Sequence, residues 1–372
     1  MFANGRKIIK LLEELAPRHL AEGWDNVGYL VGNADKEVDR VLVALELTEA
    51  VLDEAIRENI DLVVVHHPLI FKPLKTVTDD TVHGRMVRKL IKHDIGLYAA
   101  HTNLDIAWGG TNDHLAGLLG LERVKPLTTT YQTPYMKLVV TVPIKDAEDL
   151  HQALIAAGAG KIDNYEGCSF QTKGEGTFRP LEGANPTIGT IGDLERVPEV
   201  RIETIVPLPM KGKIIQALLK AHPYEVPAYD LIPLDNTFDQ FGLGRVGFLP
   251  EALTLEDLSL RVKEILNVDG VRFVGKPETK IRKVGLCTGA GMDYMKAAAK
   301  SGCDVFITGD VKYHEAQDAV QAKINVIDGG HFGTEHVYSD QLAKLLRAKI
   351  DLKGYDIAVT TSAVIADPFV TV

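Results

Sequence analysis

The chain has 372 residues, of which 45% are hydrophobic and 25% charged, and a formal net charge of −10. This length predicts two or three folding units, and the acidic balance argues against a general nucleic-acid binder, which needs clustered Lys and Arg. The three cysteines form no CxxC pair, which is typical of a reducing compartment. No stretch has the roughly 18 apolar residues of a membrane span, and the N-terminus lacks a signal-peptide core. We therefore expect a cytoplasmic protein.

The first third of the chain alternates helices with apolar strands. Apolar residues at helical spacing predict a first helix over 5–16, which Pro17 ends. The elements predicted after it are strands at 41–45, 62–65 and 95–99 and helices at 49–58 and 82–93. Continuous apolar strands separated by helices indicate a largely parallel sheet covered on both faces. In such sheets, ligands collect at the carboxyl ends of the strands.

The pattern changes near residue 125. The predicted elements are strands at 137–143, 201–207 and 229–234 and helices at 147–157 and 211–222, with a Gly-rich passage over 158–176. This order predicts a small ferredoxin-like α+β domain over 126–241, inserted into a larger domain.

The alternation of strands and helices resumes near residue 245. The predicted strands are 245–249, 283–287, 305–308 and 324–327, and the predicted helices are 255–266, 293–300, 313–322 and 335–349. We expect 1–125 and 242–372 to form one α/β domain together. Its core would be a layered, parallel-rich sheet built from both ends of the chain.

Residues of metal-binding types follow three predicted strands. The pairs are His66 with His67, His101 with Asp105, and His331 with Glu335. A buried neutral imidazole needs partners for both nitrogens, and a metal ion is one such partner. An isolated pair of adjacent histidines is more often structural, and one His-x-x-x-Glu is commonly a favourable pair on a helix. Joint placement at successive strand ends favours a metal site.

The predicted ligands combine three imidazoles with two carboxylates. They are His66, His67, Asp105, His331 and Glu335. This mixture suits Zn, Mn or Fe, and the absence of nearby cysteines argues against a closed structural zinc site. Five ligands exceed one four-coordinate ion and favour two adjacent divalent ions per chain, bridged by a carboxylate. The chemistry that such a pair supports is hydrolysis.

Other residues allow two interpretations each. His101 is either an outer donor or extra base, or a packed histidine. His314 carries protons or orients substrate, or it lies in a capping turn with Asp310 as the helix N-cap. Asp25 either lies near the cleft or belongs to a plain turn, which is the safer interpretation. The segment 287–291 weakly resembles a phosphate-cradling turn.

Five motifs resemble those of the GTP cyclohydrolase I type 2 homologues, also called the NGG-interacting-factor-three-like family. They are GWDNVG at 23–28, VHHP at 65–68, HTNLD at 101–105, GDVKYH at 309–314 and GHFGTE at 330–335. The resemblance implies the same five ligands, with Asp105 or Glu335 bridging. It also implies a toroidal homohexamer. Segments 161–170 and 222–229 resemble motifs of the PII/CutA-like insert of longer bacterial members, with Val226 where an acidic residue is expected.

The resemblance implies a two-metal hydrolase that opens the imidazole ring of a purine nucleotide such as GTP, with His101 or His314 managing protons. The alternative is a non-catalytic metal-handling or regulatory protein, whose insert responds to a ligand and supports oligomerisation. DNA binding through a central opening of the ring is a third hypothesis, which the acidic total disfavours.

Overall fold

A computed structural model describes residues 3–370. The chain divides into two compact units. The larger unit contains both ends of the described chain, up to Thr130 and from Phe241 onward, and the smaller unit is Tyr131–Gln240. Within residues 3–370, no helix is long and apolar enough to cross a bilayer.

The helices are α1 Gly5–Leu15, α2 Glu49–Arg57, α3 Val82–Lys92, α4 Thr102–Ile106, α5 Thr111–Leu118, α6 Ala147–Ala157, α7 Lys211–Ala221, α8 Leu255–Leu266, α9 Met295–Lys300, α10 Tyr313–Ala322 and α11 His331–Leu352. The strands are β1 Ala3–Asn4, β2 Gly28–Val31, β3 Glu37–Val38, β4 Arg40–Glu46, β5 Leu62–His67, β6 Gly96–Ala99, β7 Glu122–Pro126, β8 Tyr131–Gln132, β9 Tyr135–Pro143, β10 Ser169–Phe178, β11 Glu195–Pro207, β12 Tyr229–Leu234, β13 Gln240–Phe241, β14 Arg245–Thr254, β15 Arg272–Val274, β16 Lys280–Leu286, β17 Val305–Thr308, β18 Asn325–Asp328 and β19 Ala358–Thr361.

A five-stranded sheet in the larger unit has the order β19-β4-β5-β6-β2. Its first four strands are parallel, and β2 is antiparallel to β6. Alternate residues of β5, such as Val63 and Val65, are buried in one cluster with Leu52 of α2 and Leu90 of α3. Helices therefore cover this face, as the continuous apolar run of β5 predicts.

A six-stranded sheet in the same unit has the order β15-β18-β17-β16-β14-β7. Only β16, β17 and β18 are mutually parallel, whereas β14 is antiparallel to both of its neighbours and β15 to β18. The α/β class is thus confirmed, and the largely parallel sheet predicted from the first third of the chain is the five-stranded one. The same expectation is wrong for the six-stranded sheet, in which only two of the five strand pairs are parallel. An antiparallel neighbour needs no crossover helix, so helix spacing alone does not reveal it.

The start of α11 differs from the sequence prediction in a way that matters for the site. The helix begins at His331, four residues before the predicted start at residue 335. Gly330 precedes it with φ of 76°, a conformation that glycine adopts without a steric penalty. The chain therefore leaves β18 and turns directly into a helix whose first turn contains His331 and Glu335.

The smaller unit contains strands and helices in the order β9, α6, β10, β11, α7, β12. These four strands form one antiparallel sheet with the order β10-β11-β9-β12. One buried cluster joins Leu138 and Ile202 of the sheet to Leu150 of α6 and Leu218 of α7. Both helices therefore pack on the same face of the sheet.

Candidate metal centre

The larger unit brings the ends of three strands together. His66 and His67 are the last residues of β5, Asp105 lies in α4 after β6, and His331 and Glu335 lie in the first turns of α11 after β18. His67 Nε2 lies 2.9 Å from Glu335 Oε2, and His331 Nε2 lies 3.2 Å from the same oxygen. His66 Nε2 lies 3.6 Å from Asp105 Oδ1. All five residues predicted to bind metal thus lie in one cluster.

Two overlapping groups of residues have the spacing of metal ligands, and one of them adds His101 to this cluster. One group is His66, His67 and His101, and the other is His67, His331 and Glu335. In each group, the candidate ligand atoms all lie within 4.8 Å of one another. His67 belongs to both groups, so the two groups are adjacent.

Two buried polar atoms of this cluster have no hydrogen-bond partner and could both bind a metal ion. Among residues 3–370, His66 Nε2 and Glu335 Oε2 find no hydrogen-bond partner. His67 Nε2 lies 2.9 Å from Glu335 Oε2, but the two atoms do not form a hydrogen bond. His66 Nδ1 donates to the carbonyl oxygen of Ala100 at 2.8 Å, which leaves Nε2 with a lone pair aimed into the cluster. Orphaned buried polar atoms are rare in folded proteins, and a cation here would satisfy both.

Two carboxylates outside the cluster fix the orientation of its histidines. Asp25 Oδ1 lies 2.9 Å from His101 Nδ1, and Asp310 Oδ2 lies 2.7 Å from His331 Nδ1. A carboxylate that accepts a proton from Nδ1 leaves Nε2 free to bind metal. Burial raises the pKa of Asp25, but hydrogen bonds from His101 and Thr102 outweigh it and lower that pKa to about 2. Asp25 is therefore ionised and able to accept.

These contacts resolve two alternatives left by the sequence. The plain-turn interpretation of Asp25 is wrong, because its carboxylate holds His101 and also accepts from the backbone N–H of Thr102 at 3.1 Å. The interpretation of Asp310 as an N-cap is wrong too, because the N-cap of α10 is Lys312. Asp310 instead adopts φ of 56° and bonds to His331. In the sequence, the signal for each of these two aspartates was a carboxylate within a short motif that also contains Gly.

The carboxylates and imidazoles of the cluster stabilise opposite charges on one another. Burial lowers the pKa of His66, but Asp105 and Glu335 outweigh it and raise that pKa to about 9. The nearby carboxylate of Glu335 outweighs burial and raises the pKa of His331 to about 9. Despite burial, the surrounding imidazoles hold the pKa of Glu335 well below its ordinary value. Because ligating imidazoles are neutral, divalent cations would displace these protons.

The segment 287–291 supports Glu335 and does not cradle a phosphate. Three of its amide N–H groups, those of Thr288, Gly289 and Gly291, are used within the fold. They donate to the side chains of Asn112, Thr334 and Thr308, respectively. Gly289 has φ of 65°, and a Cβ at this position would lie 2.2 Å from Glu335 Oε1. Glycine therefore makes room for the carboxylate, and the phosphate interpretation of this turn is wrong.

Thr111 contacts the cluster, whereas His314 lies outside both groups of candidate ligands. Thr111 donates its hydroxyl hydrogen to Asp105 Oδ1 at 2.5 Å, the same oxygen that lies 3.6 Å from His66 Nε2, and so helps to fix that carboxylate. His314 is exposed on α10 with its ring against Tyr313. It belongs to neither of the groups with metal-ligand spacing.

Comparison with known proteins gives consistent matches. Residues 3–368 match the family described as Duf34/NIF3 (NGG1p interacting factor 3). A Halalkalibacterium halodurans protein named GTP cyclohydrolase 1 type 2 homolog is 46% identical over 99% of this chain and 98% of its own length. A Bacillus subtilis protein of the same name is 42% identical over 98% of each chain. A crystal structure of a Bacillus cereus protein related to NIF3 superposes with a TM-score of 0.94 at 45% identity, covering 100% of both chains.

Proposed function

This chain belongs to the Duf34/NIF3 family, and from that premise we propose that it is a hydrolase with two adjacent divalent metal ions. One observation carries the proposal. Two overlapping groups of donor atoms meet at His67, and two buried atoms in them, on His66 and Glu335, have no hydrogen-bond partner in the described chain. A pair of adjacent ions accounts for both features.

The proposed ligands are the five predicted from the sequence together with His101. His101 joins because its Nδ1 is held by Asp25 and its ring lies 5.1 Å from that of His66, centroid to centroid. It therefore contributes as a ligand and not as a free base. Bound Zn, Mn or Fe ions would supply Lewis-acid polarisation of the bond under attack. The remaining work of the chain is to hold six donors in place around them.

The proposed substrate is a purine nucleotide such as GTP, whose imidazole ring would be opened at a cyclic amidine C–N bond. The support is the name of the close relatives, GTP cyclohydrolase 1 type 2 homolog. Side chains of His67 and His331 are 25% and 36% exposed, so a substrate can reach the site. His314 is the proposed proton carrier, since its exposed imidazole follows the turn that contains Asp310.

The same access to solvent favours a second candidate, a protein that carries or senses metal ions without turnover. In this alternative, exchange of the ions through the exposed side of the cluster is the function. The smaller unit would then be a PII/CutA-like regulatory domain inserted over 126–241, and the chain would assemble into a homohexamer. The β-α-β-β-α-β order of that unit, with both helices on one face, supports the ferredoxin-like assignment.

The deciding experiment combines metal analysis with turnover. The protein is isolated with its metals, and GTP is added while purine absorbance and formate are followed. Glu335→Gln is the test variant, and Glu315→Gln on α10 is the control. Hydrolysis with two metals per chain, lost only in Glu335→Gln, supports the hydrolase. Transfer of metal to an acceptor without any turnover of GTP favours the carrier. Unchanged metal content in Glu335→Gln contradicts the proposed ligands of both.

A further inference from the structure

The smaller unit contains a cavity of about 380 Å³. It lies at the end of the sheet where β10 and β11 continue past the other strands. Its lining includes Phe178 of β10, Glu199 of β11 and Tyr224 from the connection after α7. The segment 180–188 covers it with Pro180, Pro186 and Ile188.

A buried carboxylate forms one end of this cavity. Glu199 is 6% exposed, and Tyr224 donates its hydroxyl hydrogen to Glu199 Oε1 at 2.6 Å. Burial and the neighbouring Glu199 charge raise the pKa of Tyr224, so the phenol stays protonated and keeps donating. A Cβ on Gly176 would lie 2.5 Å from Glu199 Oε2, so a glycine on the adjacent strand makes room for the carboxylate.

The tyrosine itself is held rigidly. Its backbone N–H donates to His222 Nδ1 at 3.1 Å, and His222 Nε2 donates to the carbonyl oxygen of Thr141 at 2.8 Å. The ring of Phe178 meets the ring of Tyr224 edge to face, with centroids 5.5 Å apart. The carboxylate and two aromatic rings therefore keep fixed positions around the cavity.

The segment that covers the cavity is tied down by two contacts. The backbone N–H of Asn185 donates to Glu225 Oε2 at 2.9 Å, and Thr187 donates its hydroxyl hydrogen to the carbonyl oxygen of Pro223 at 2.6 Å. Glu225 is a second carboxylate in the lining. Among the lining residues of the described chain, none is Lys or Arg. The cavity thus combines negative charge with apolar and aromatic walls.

We propose that this cavity binds a small organic cation, an ammonium or amidinium group carried on an aromatic or apolar body. A buried carboxylate with one hydroxyl donor gains most from a positively charged hydrogen-bond donor. The faces of Phe178 and Tyr224 attract a cation as well. Phosphorylated ligands are excluded, because two carboxylates would repel them and no basic side chain in the lining would offset this. The lining of this cavity shares no residue with the proposed metal ligands.

Benzamidine and benzamide provide a matched pair of probes, since they have the same shape and differ in charge. Each is titrated calorimetrically into the full chain loaded with metal. We expect benzamidine to bind at least about tenfold more tightly than benzamide, the scale of one charge-assisted hydrogen bond. Glu199→Gln should abolish this preference. Glu203→Gln removes the same charge from β11 outside the lining and should leave the preference unchanged.

Three results would overturn the proposal: equal affinity of the wild-type protein for both probes, an unchanged preference in Glu199→Gln, or no benzamidine binding at about 10 mM, which corresponds to a negligible affinity. If Glu199→Gln fails to fold, Phe178→Leu decides, because it keeps the carboxylate and removes one ring face. It should weaken benzamidine binding severalfold, and unchanged binding in this variant would also count against the cavity.

Discussion

The proposed metal centre and the cavity of the smaller unit each bury a glutamate, but they surround it differently. Glu335 faces imidazoles of His67 and His331 on one oxygen and lies 3.7 Å from His66 Nε2 on the other. Glu199 faces a single tyrosine hydroxyl among apolar walls. Several converging nitrogen donors favour a divalent metal ion, whereas one donor among aromatic rings favours an organic cation. The neighbours of a buried carboxylate therefore decide its partner.

Displacing Glu335 without removing it should have the largest effect on metal binding. In Gly289→Ala, the added Cβ would collide with Glu335 Oε1, so we expect metal binding at least about 100-fold weaker. Gly354→Ala is the matched control, because Gly354 has φ of 66° and nothing lies within 4 Å of the added Cβ. Both variants should lose about 1–2 kcal/mol of stability from backbone strain. Metal content measured alongside thermal unfolding separates the two effects, and equal metal content in both variants would refute the role of Gly289.

A smaller effect is expected from the carboxylate that orients His101. Asp25→Asn removes the ionised acceptor of the His101 Nδ1 proton and should weaken metal binding by about 30-fold, in the range of such outer partners. Competition with a chelator measures the affinity. Asp35→Asn, at an exposed aspartate paired with Arg6, is the control and should change nothing. Wild-type affinity in Asp25→Asn would remove His101 from the proposed ligands.

A still smaller effect is expected from Asp310, the exposed counterpart of Asp25. Asp310 holds His331 as Asp25 holds His101, but its side chain is 51% exposed. Water can replace an exposed acceptor, so Asp310→Asn should weaken metal binding by only about fivefold. The chelator assay compares the two variants directly. A larger loss in Asp310→Asn than in Asp25→Asn would show that burial does not control these contacts.

The smallest effect concerns the second glutamate. Tyr224→Phe removes the hydroxyl donor of Glu199 and should cost about 1–2 kcal/mol of stability, measured by denaturant unfolding. Metal content should remain that of the wild-type protein, because Tyr224 belongs to neither of the two groups with metal-ligand spacing. Loss of metal in this variant would mean that the two buried glutamates do not act independently.

Much of the fold and of the metal cluster follows from local sequence patterns. The helix predicted at 255–266 is α8 with the same bounds, because Thr254 caps it and its apolar residues repeat at helical spacing. His66 and His67 end β5, and His331 and Glu335 follow β18, so each pair lies at the carboxyl end of a strand, where ligands collect. The strand-end rule does not explain why the two pairs meet, because β5 and β18 belong to different sheets.

The rest depends on contacts between distant segments. Asp25 reaches a partner 76 positions away, and no spacing rule connects it to His101. Gly289 is needed only because Glu335 approaches it from another element. The antiparallel neighbours β2 and β14 and the cavity around Glu199 likewise arise from chain reversals and a covering segment, which leave no periodic signal in the sequence.

The most direct test of the metal centre is anomalous X-ray diffraction from crystals of the protein isolated with its metals. The account predicts two anomalous peaks per chain, one within the group of His66, His67 and His101 and one within the group of His67, His331 and Glu335. Peaks at other residues only, or a single peak that leaves one of these groups without metal in a sample shown by elemental analysis to carry two ions, would contradict it.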